Sequence, residues 1–357
     1  MNLLLALFVL AGAAAFGIGV ASGDASRIWS IYLVNLLFWS GLSVTGPAIA
    51  GMMELTEARW SPSVKRLALT TAGFLPVALI GFVLLFFGRA ELYSWVTKPV
   101  ESKAIWLNVP FVFLRTLLGA LLLFWVAFLF AGAVYGDASD ATKPRRNRLA
   151  TTLLMLYVVI VSLWGFDLVM SLDPRWYSGL FGGYFVVSTL YTGFALLSVL
   201  TIVSNARGQT AVPPHAVQDV AKLQFALSIM WMYFFWSQYL VIWYGNVPAE
   251  TKFFLARIFI EPWRTLAWVI LIVGWLIPFG YLLKRLTGRP PQRHTPLLII
   301  ALCGLVAIFL ERIFVVFPSV TPGAVPPLPH AIFITLGFLA LFVLSRRWFF
   351  MKFTPTL

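Results

Sequence analysis

Long apolar runs recur along the whole chain and are separated by short polar segments. Each run is about 20 residues long, the length that an α-helix needs to cross a bilayer. The chain therefore reads as an all-α polytopic membrane protein with one membrane domain, residues 1–357. The runs predict ten transmembrane spans, over residues 3–20, 28–51, 67–88, 108–134, 149–171, 180–204, 222–244, 263–284, 296–317 and 329–350.

The first run is open to two interpretations. Small residues follow it, as they follow the apolar region of a secretory signal peptide. It has no positively charged start, however, and the other apolar runs come after it. We favour an uncleaved first helix.

Basic residues are unevenly divided between the two sides of the membrane. They concentrate in the loops at 52–66, 135–148, 205–221 and 285–295, which share a side with both termini if there are ten spans. The loops on the opposite side hold fewer lysines and arginines. Because cytoplasmic loops carry an excess of these residues, both termini are predicted to be cytoplasmic.

The amino-acid composition agrees with a polytopic membrane protein. Hydrophobic residues make up 61% of the chain and charged residues only 11%, which excludes an ordinary soluble domain. The formal net charge of +13 is typical of cytoplasmic loops that face anionic lipids, so we predict lipids and not nucleic acid as the partner of this charge.

Cysteine and histidine are too few for a redox centre. The single cysteine, Cys303, excludes an intrachain disulfide and a Cys-ligated cluster or zinc site built by this chain alone. Two of the three histidines, His215 and His294, lie in polar loops, so no pair of helix-borne imidazoles can hold a haem. We predict no metal ligand and no cofactor bound by this chain alone, so any electron carrier belongs to another subunit.

Several spans carry charged or polar residues at a similar depth below the outer surface. At 1.5 Å per residue, Asp167 lies roughly 8 Å inside the fifth span and Arg115 at about the same depth in the fourth. Buried ionisable groups in membranes tend to mark proton or ligand pathways, but Arg115 could equally neutralise Asp167 or Glu311 as a structural tie, and the sequence does not say which. The other members of this predicted layer are Glu311, Arg312, Ser237 and Gln238.

The seventh span carries two polar stripes at helical spacing. One contains Gln224, Ser228, Trp231 and Gln238, and the other contains Tyr233, Ser237 and Tyr244. We expect both stripes to face other helices, since hydroxyls and amides lack partners in lipid. Tyr244, together with Trp243, better suits an aromatic belt at the membrane surface. They would serve as interhelical contacts or as the lining of a proton route or quinone cleft.

Two further candidates lie near the predicted outer surface. Asp173 and Arg175 follow the fifth span in "SLDPRWY", and would form either the mouth of a proton path or a salt-bridged turn. His330 begins the tenth span and is either a surface or capping residue or a proton-exit group, for which an imidazole is suited.

Four stretches together are similar to a known family: "LTEARWSPSVKR" (55–66), "KAIWLNVPFVFLR" (103–115), "FDLVMSLDPRWYSGLFGGY" (166–184) and "KLQFALSIMWMYFFWSQYLVIWYGNVPAET" (222–251). They resemble the ActF group of NrfD-like integral membrane subunits of bacterial alternative complex III, a quinol:electron-acceptor oxidoreductase. The resemblance runs from about the second span to the eighth and is looser in the last two.

The resemblance implies a fold, a location and partners. The fold is two four-helix bundles, 28–171 and 180–317, flanked by helices at 1–20 and 329–350, in a bacterial inner (plasma) membrane. The implied partners are a second NrfD-like membrane subunit, an extracytoplasmic iron–sulfur subunit, cytochrome c subunits and, as an alternative acceptor, a terminal oxidase. Haem c and iron–sulfur clusters would belong to those partners. ActF-type subunits are often labelled quinone-binding, but the resemblance implies that the quinol pocket lies in the sister NrfD-like subunit and that the ActF-type subunit is more a proton-path component.

The leading prediction is a subunit of a quinol-oxidising respiratory complex that contributes a proton path near the outer face, and the sequence leaves open whether it also carries a quinone site. We assign no catalytic residue, and choose Asp167 first as a proton carrier, since a desolvated carboxylate suits a relay. A secondary transporter is a rival, although its site would lie near the bilayer midplane between interrupted helices. A structural scaffold for redox subunits is the other rival.

Overall fold

A computed structural model describes residues 2–58, 62–136, 140–209, 211–283 and 294–353. Within these ranges, ten helices are long and apolar enough to cross a membrane, and each falls on a predicted span. The all-α prediction is thus confirmed, and the described residues contain no strand. The helices are α1 Asn2–Ala21, α2 Ala25–Leu55, α3 Pro62–Leu92, α4 Val109–Tyr135, α5 Lys143–Leu172, α6 Phe181–Ala206, α7 Pro214–Gly245, the short α8 Pro248–Ile258, α9 Trp263–Leu283, α10 Thr295–Val320 and α11 Leu328–Phe353.

The membrane helices pack as two rings and a flanking pair. Helices α2 to α5 form the first ring, and α6, α7, α9 and α10 form the second. Helices α1 and α11 pack against each other and lie against α2 and α3, outside both rings.

Helix α2 lies at the centre of the molecule. It contacts its own ring as well as α6 and α10 of the second ring, and its most apolar stretch is entirely buried. Its hydroxyls are satisfied within the helix: Ser43 donates to the Trp39 carbonyl at 2.6 Å, and Thr45 donates to the Gly41 carbonyl at 2.7 Å. Polar residues can therefore face other helices in this apolar setting without an unmet hydrogen bond.

Two salt bridges join α2, α3 and α5 of the first ring at the C-terminal end of α2, on the predicted cytoplasmic side. The buried Glu54 carboxylate pairs with Lys65 of α3 and with Arg146 of α5, whose Nε lies 2.8 Å from Oε1. The side of the membrane remains a prediction, and part of its basis, Arg59 and most of the 285–295 loop, lies outside the described residues.

Three membrane helices contain irregular turns. Helix α3 has a 3₁₀ segment at Thr70–Phe74, and π-helical turns occur at Gly165–Val169 in α5 and at Ile272–Leu276 in α9. Such π-turns are frequent at functional sites because they reposition side chains and release backbone carbonyls. In each π-turn a buried tyrosine satisfies a carbonyl: Tyr93 donates to Leu168 at 3.2 Å and Tyr191 donates to Gly274 at 2.7 Å.

Candidate functional site

One polar site joins α4 and α5, and we call Asp167, Arg115 and Trp106 the Asp167 site. The Arg115 guanidinium binds the Asp167 carboxylate in a bidentate ion pair, with Nε 2.6 Å from Oδ2 and Nη2 2.6 Å from Oδ1. The Trp106 indole Nε1 donates to Oδ1 at 3.0 Å. The same indole ring lies 3.9 Å from Cζ of Arg115, a cation–π contact.

The Asp167 site is saturated with hydrogen bonds. Asp167 is only 1% exposed, and three N–H donors satisfy its two oxygens. Bidentate pairs of this kind are among the strongest hydrogen-bonded contacts in proteins. The predicted proximity of Asp167 and Arg115 is therefore observed, and the contact has the geometry of a structural tie.

A second polar site joins α6 and α10, and we call Glu311, Arg312, Ser188 and Tyr184 the Glu311 site. Arg312 Nη1 donates to Glu311 Oε2 at 2.7 Å, and Nη2 donates to Ser188 Oγ at 2.7 Å. The Tyr184 side chain lies beside the Glu311 carboxylate. Glu311 is 1% exposed and Arg312 is 2% exposed, so both charges are removed from solvent.

A cavity of about 320 Å³ lies beside Glu311 within the second ring. Tyr184 and Glu311 lie at its polar part, and its other walls are mostly aromatic and aliphatic. Trp236 and Trp268 are 52% and 60% exposed on the surface that lipid would cover, so the cavity can be reached from within the bilayer. The walls comprise Trp231, Met232, Phe235, Trp236, Tyr239, Ile258, Arg264, Ala267, Trp268, Ile270, Leu271 and Phe314.

Three buried polar atoms at the Glu311 site make no hydrogen bond of normal length and angle to the described residues, although the Tyr184 side chain lies near both the Glu311 carboxylate and the Trp231 indole. They are Oε1 of Glu311, Nε of Arg312 and the indole Nε1 of Trp231. Because an unpaired buried polar group costs about 1–3 kcal/mol, most such groups in native proteins are satisfied by protein, water or ligand. The set contains one acceptor and two donors, which suits a ligand that carries hydroxyl or carbonyl oxygens.

The two sites are separate hydrogen-bonded clusters. Arg115 pairs with Asp167 and Arg312 pairs with Glu311, and no ion pair connects the sites within the described ranges. That both sites lie at one depth in the outer half of the membrane stays a prediction. Each arginine neutralises the nearest carboxylate in its own ring, because a buried charge that is left unpaired is costly.

Ser237 and Gln238 do not join the Glu311 site. Gln238 is buried, but its Oε1 accepts a hydrogen bond at 3.2 Å from Ser178, in the connection before α6. The Ser237 side chain is half-buried and makes no hydrogen bond to the described part of the chain. Gln238 thus ties α7 to a loop, since its side chain points toward the α5–α6 connection.

Asp173 and Arg175 do not form the expected salt-bridged turn. Arg175 is exposed, and no ion pair involves either residue in the ranges described. Asp173 instead faces Lys103, whose ammonium donates to the Pro174 carbonyl at 2.6 Å. Burial lowers the pKa of Lys103 from its ordinary value, and the nearby Asp173 carboxylate opposes this fall.

His330 lies outside both rings. It begins α11 and packs against Gly19 of α1, where a Cβ atom on the glycine would approach the imidazole to 2.9 Å. Its Nδ1 has no partner among the described residues. His330 is thus half-buried in the flanking pair rather than on a free surface, and it contacts neither carboxylate site.

The two polar stripes of α7 face in different directions. Gln224, Ser228, Trp231 and Gln238 are all buried, which confirms the expectation for the first stripe. Tyr233 is 65% exposed, so the same expectation was wrong for this member of the second stripe. Tyr244 is 86% exposed, as an aromatic belt at the membrane surface requires. The two faces differ because α7 packs only on one side, and amphipathic tyrosines tolerate a membrane surface.

Sequence analysis assigned no role to Trp106 or Tyr184, although both lie within the quoted stretches. An indole or phenol in an apolar segment is usually part of the core, so residue type alone gives little signal. Within the described residues no group of three or more His, Cys, Asp or Glu side chains could hold a metal ion. The chain matches no protein-family model and no curated protein sequence, so the resemblance rests on the stretches quoted above.

Proposed function

We propose that this chain is a membrane subunit of a quinol-oxidising respiratory complex and that the cavity of the Glu311 site binds the quinol ring. The observation that carries the proposal is the buried Oε1 of Glu311, which makes no hydrogen bond of normal geometry and lies at an aromatic cavity reached from the bilayer. A quinol is a flat, membrane-soluble ring with hydroxyl groups, and aromatic walls with a few convergent polar atoms suit such a ligand.

The chemistry assigned to this chain is proton transfer. Oxidation of a quinol to a quinone releases two protons and two electrons. Oε1 of Glu311 is shielded from solvent and Tyr184 lies beside it, so we assign Tyr184 as the relay from each quinol hydroxyl to the carboxylate. Arg312 holds the carboxylate ready to accept a proton, and each proton then leaves toward the outer face.

The electrons would pass to a partner chain, since a single cysteine and three histidines offer no redox centre here. Following the resemblance, the partners are a second NrfD-like subunit, an extracytoplasmic iron–sulfur subunit, cytochrome c subunits and, in some assemblies, a terminal oxidase. Co-purification of haem and iron–sulfur proteins with the tagged chain tests this part. A chain that purifies alone and moves a solute in vesicles would be a transporter instead.

The central test is quinol turnover by the assembled complex after Glu311→Gln. Loss of the proton acceptor should lower kcat about 100-fold, the usual scale for a general base. Tyr184→Phe should lower kcat less, because the carboxylate remains. Glu101→Gln is the matched control, as Glu101 is an exposed glutamate in the connection between α3 and α4. Equal turnover in Glu311→Gln and Glu101→Gln would exclude this site from the reaction.

A second candidate function is a proton path that continues toward the predicted cytoplasmic side. Buried Ser198 of α6 donates to Oε1 of buried Gln224 of α7 at 2.9 Å, and Nε2 of Gln224 has no partner among described residues. These groups would hold a water chain that leads to Glu311. Protons taken up along this path would be pumped in addition to the two that each quinol releases. Gln224→Leu should then abolish uptake of the pumped protons from the cytoplasmic side, while quinol oxidation and the release of its own two protons continue. Unchanged proton uptake would leave Gln224 as an interhelical contact.

A further inference from the structure

A buried arginine joins the short helix α8 to the outer end of α10. Arg257 is 2% exposed, and its guanidinium donates to three backbone carbonyls and one hydroxyl. The acceptors are Phe314 O at 3.2 Å from Nε, Phe253 O at 2.9 Å from Nη1, and Val315 O and Ser319 Oγ at 3.0 and 2.7 Å from Nη2. No carboxylate forms an ion pair with Arg257 within the part of the chain that the structure describes.

The acceptor at Phe314 exists because of a proline. Pro318 lies inside α10 and has no N–H, so the carbonyl of Phe314, four residues earlier, loses its normal backbone donor. Arg257 Nε occupies the place of that missing donor. A lysine could not do the same, since only the planar fork of arginine reaches several acceptors at fixed angles.

Arg257 is itself held in place by stacked rings. Its Cζ lies 3.4 Å from the centroid of the Phe253 ring, and that ring stacks on Trp176 with centroids 3.7 Å apart and planes 4° from parallel. Trp176 is 1% exposed and belongs to the connection between α5 and α6. Lys103, through its bond to Pro174, fixes the same connection to the first ring. The position of Arg257 is therefore determined from both rings.

We call the hydrogen bonds from Arg257 to α10 the staple. The turn of α10 that the staple holds also forms part of the cavity wall. Phe314 lines the cavity together with Glu311, which lies one helical turn before it, and Ile258, the neighbour of Arg257, lines it as well. We propose that Arg257 is a positioning residue, which replaces the backbone donor absent at Pro318 and thereby fixes Phe314 and Glu311 at the cavity. The staple stands on its own geometry, whereas its consequence for the quinol reaction rests on the proposed function.

A double-mutant cycle tests the staple in the full-length chain in detergent. Arg257→Gln should lower the midpoint of thermal unfolding, because it leaves the Phe314 carbonyl without a donor. Pro318→Ala restores a backbone N–H at that position, so Arg257→Gln should cost clearly less in the Pro318→Ala background. Arg175→Gln, an exposed arginine on the same side, is the control and should change the midpoint in neither background. An equal loss in both backgrounds would overturn the proposal.

A chemical readout tests the positioning without any quinol. Dicyclohexylcarbodiimide modifies protonated carboxyl groups in apolar sites, and mass spectrometry reports the extent of modification at Glu311. We expect Arg257→Gln to increase the initial rate of modification severalfold and the double variant to return it toward the original rate. Rates that are the same in all four proteins would overturn the positioning role.

A second variant and a binding measurement complete the test. If Arg257→Gln does not accumulate in the membrane, Arg257→Lys retains the charge but reaches fewer acceptors, and it should show the same pattern on a smaller scale. Binding of a quinol analogue separates the two proposals. If no variant, nor the original chain, binds it while the cycle still shows coupling, the proposed function fails and the staple stands.

Discussion

The Asp167 site and the Glu311 site contain the same kinds of residue but differ in how completely their carboxylates are hydrogen-bonded. Each places a carboxylate and an arginine within one helical ring, and each ring contains a π-turn whose carbonyl accepts a hydrogen bond from a buried tyrosine. Three donors saturate the Asp167 carboxylate, whereas Oε1 of Glu311 makes no hydrogen bond of normal geometry and lies by a cavity.

The difference shows what separates a structural ion pair from a reactive one. A fully bonded pair stabilises one arrangement of helices and leaves no lone pair for a substrate. A half-bonded pair costs stability and retains an acceptor that chemistry can use. Burial and charge alone do not distinguish the two sites, because Asp167 and Glu311 are equally buried at 1% exposure.

The largest effect on stability should come from breaking the saturated pair. Arg115→Gln removes the bidentate partner of buried Asp167, and such a loss typically costs about 3–5 kcal/mol. The measurement is the free energy of unfolding in mixed detergent micelles. Arg175→Gln, on an exposed loop, should change it by less than about 0.5 kcal/mol. Similar values for both variants would remove the structural role from the Asp167 site.

Asp167→Asn should have a smaller effect, of about 1.5–3 kcal/mol, the range for hydrogen bonds to charged groups. The loss is smaller because the Arg115 side chain is 12% exposed and keeps some access to solvent. Quinol turnover per folded complex should stay within about threefold of the original, far from the loss expected of a general base. A turnover loss as large as that of Glu311→Gln would make Asp167 part of the proton path after all.

Filling the cavity should separate ligand binding from stability. Ala267→Phe places a ring inside the cavity and should weaken binding of a quinol analogue at least about tenfold, equivalent to about 1.4 kcal/mol. The matched control is Ala13→Phe, which fills a separate cavity of about 240 Å³ beside α1 and α11. Equal binding by both variants, measured by calorimetry, would show that the ligand lies elsewhere.

The smallest effects concern the two π-turns. Tyr93→Phe and Tyr191→Phe each remove one hydrogen bond to a carbonyl, which is worth about 0.5–1.5 kcal/mol. We expect Tyr191→Phe to cost more, because its bond is 2.7 Å long and that of Tyr93 is 3.2 Å. Hydrogen exchange at Gly165–Val169 and Ile272–Leu276 measures the local effect. The reverse order would mean that these bonds do not hold the turns.

The spans could be predicted because their signal is local. Twenty apolar residues in a row are sufficient to indicate each helix, and counting residues from the ends placed Arg115 and Asp167 at one depth, where they do pair. The separation into two sites could not be predicted, because it depends on which helices are neighbours. The π-turn of α5 has no proline beside it, and only Gly165 hints at irregular backbone there. The π-turn of α9 ends just before Pro278, which has no N–H to donate to the Gly274 carbonyl, so the sequence does carry a signal for this second turn.

The cavity lay beyond sequence reasoning for a related reason. Its walls come from five helices, and its volume depends on how large side chains such as Trp231 and Phe314 fit together. The same packing leaves Oε1 of Glu311 without a hydrogen bond of normal geometry. Asp167 is the first choice from sequence because a carboxylate desolvated in the membrane suits a proton relay, and that argument applies equally to Glu311. The hydrogen-bond geometry separates the two, because three donors saturate Asp167.

The central position of α2 has a consequence for biosynthesis. Part of its surface packs against α6 and α10, which the ribosome makes much later. At 5–20 residues per second, roughly ten seconds to a minute passes before the last of these partners emerges. During that interval the face of α2 that later meets α6 and α10 must be covered by lipid or by the insertion machinery, so truncated nascent chains that end before α10 should be preferred substrates of membrane quality-control proteases.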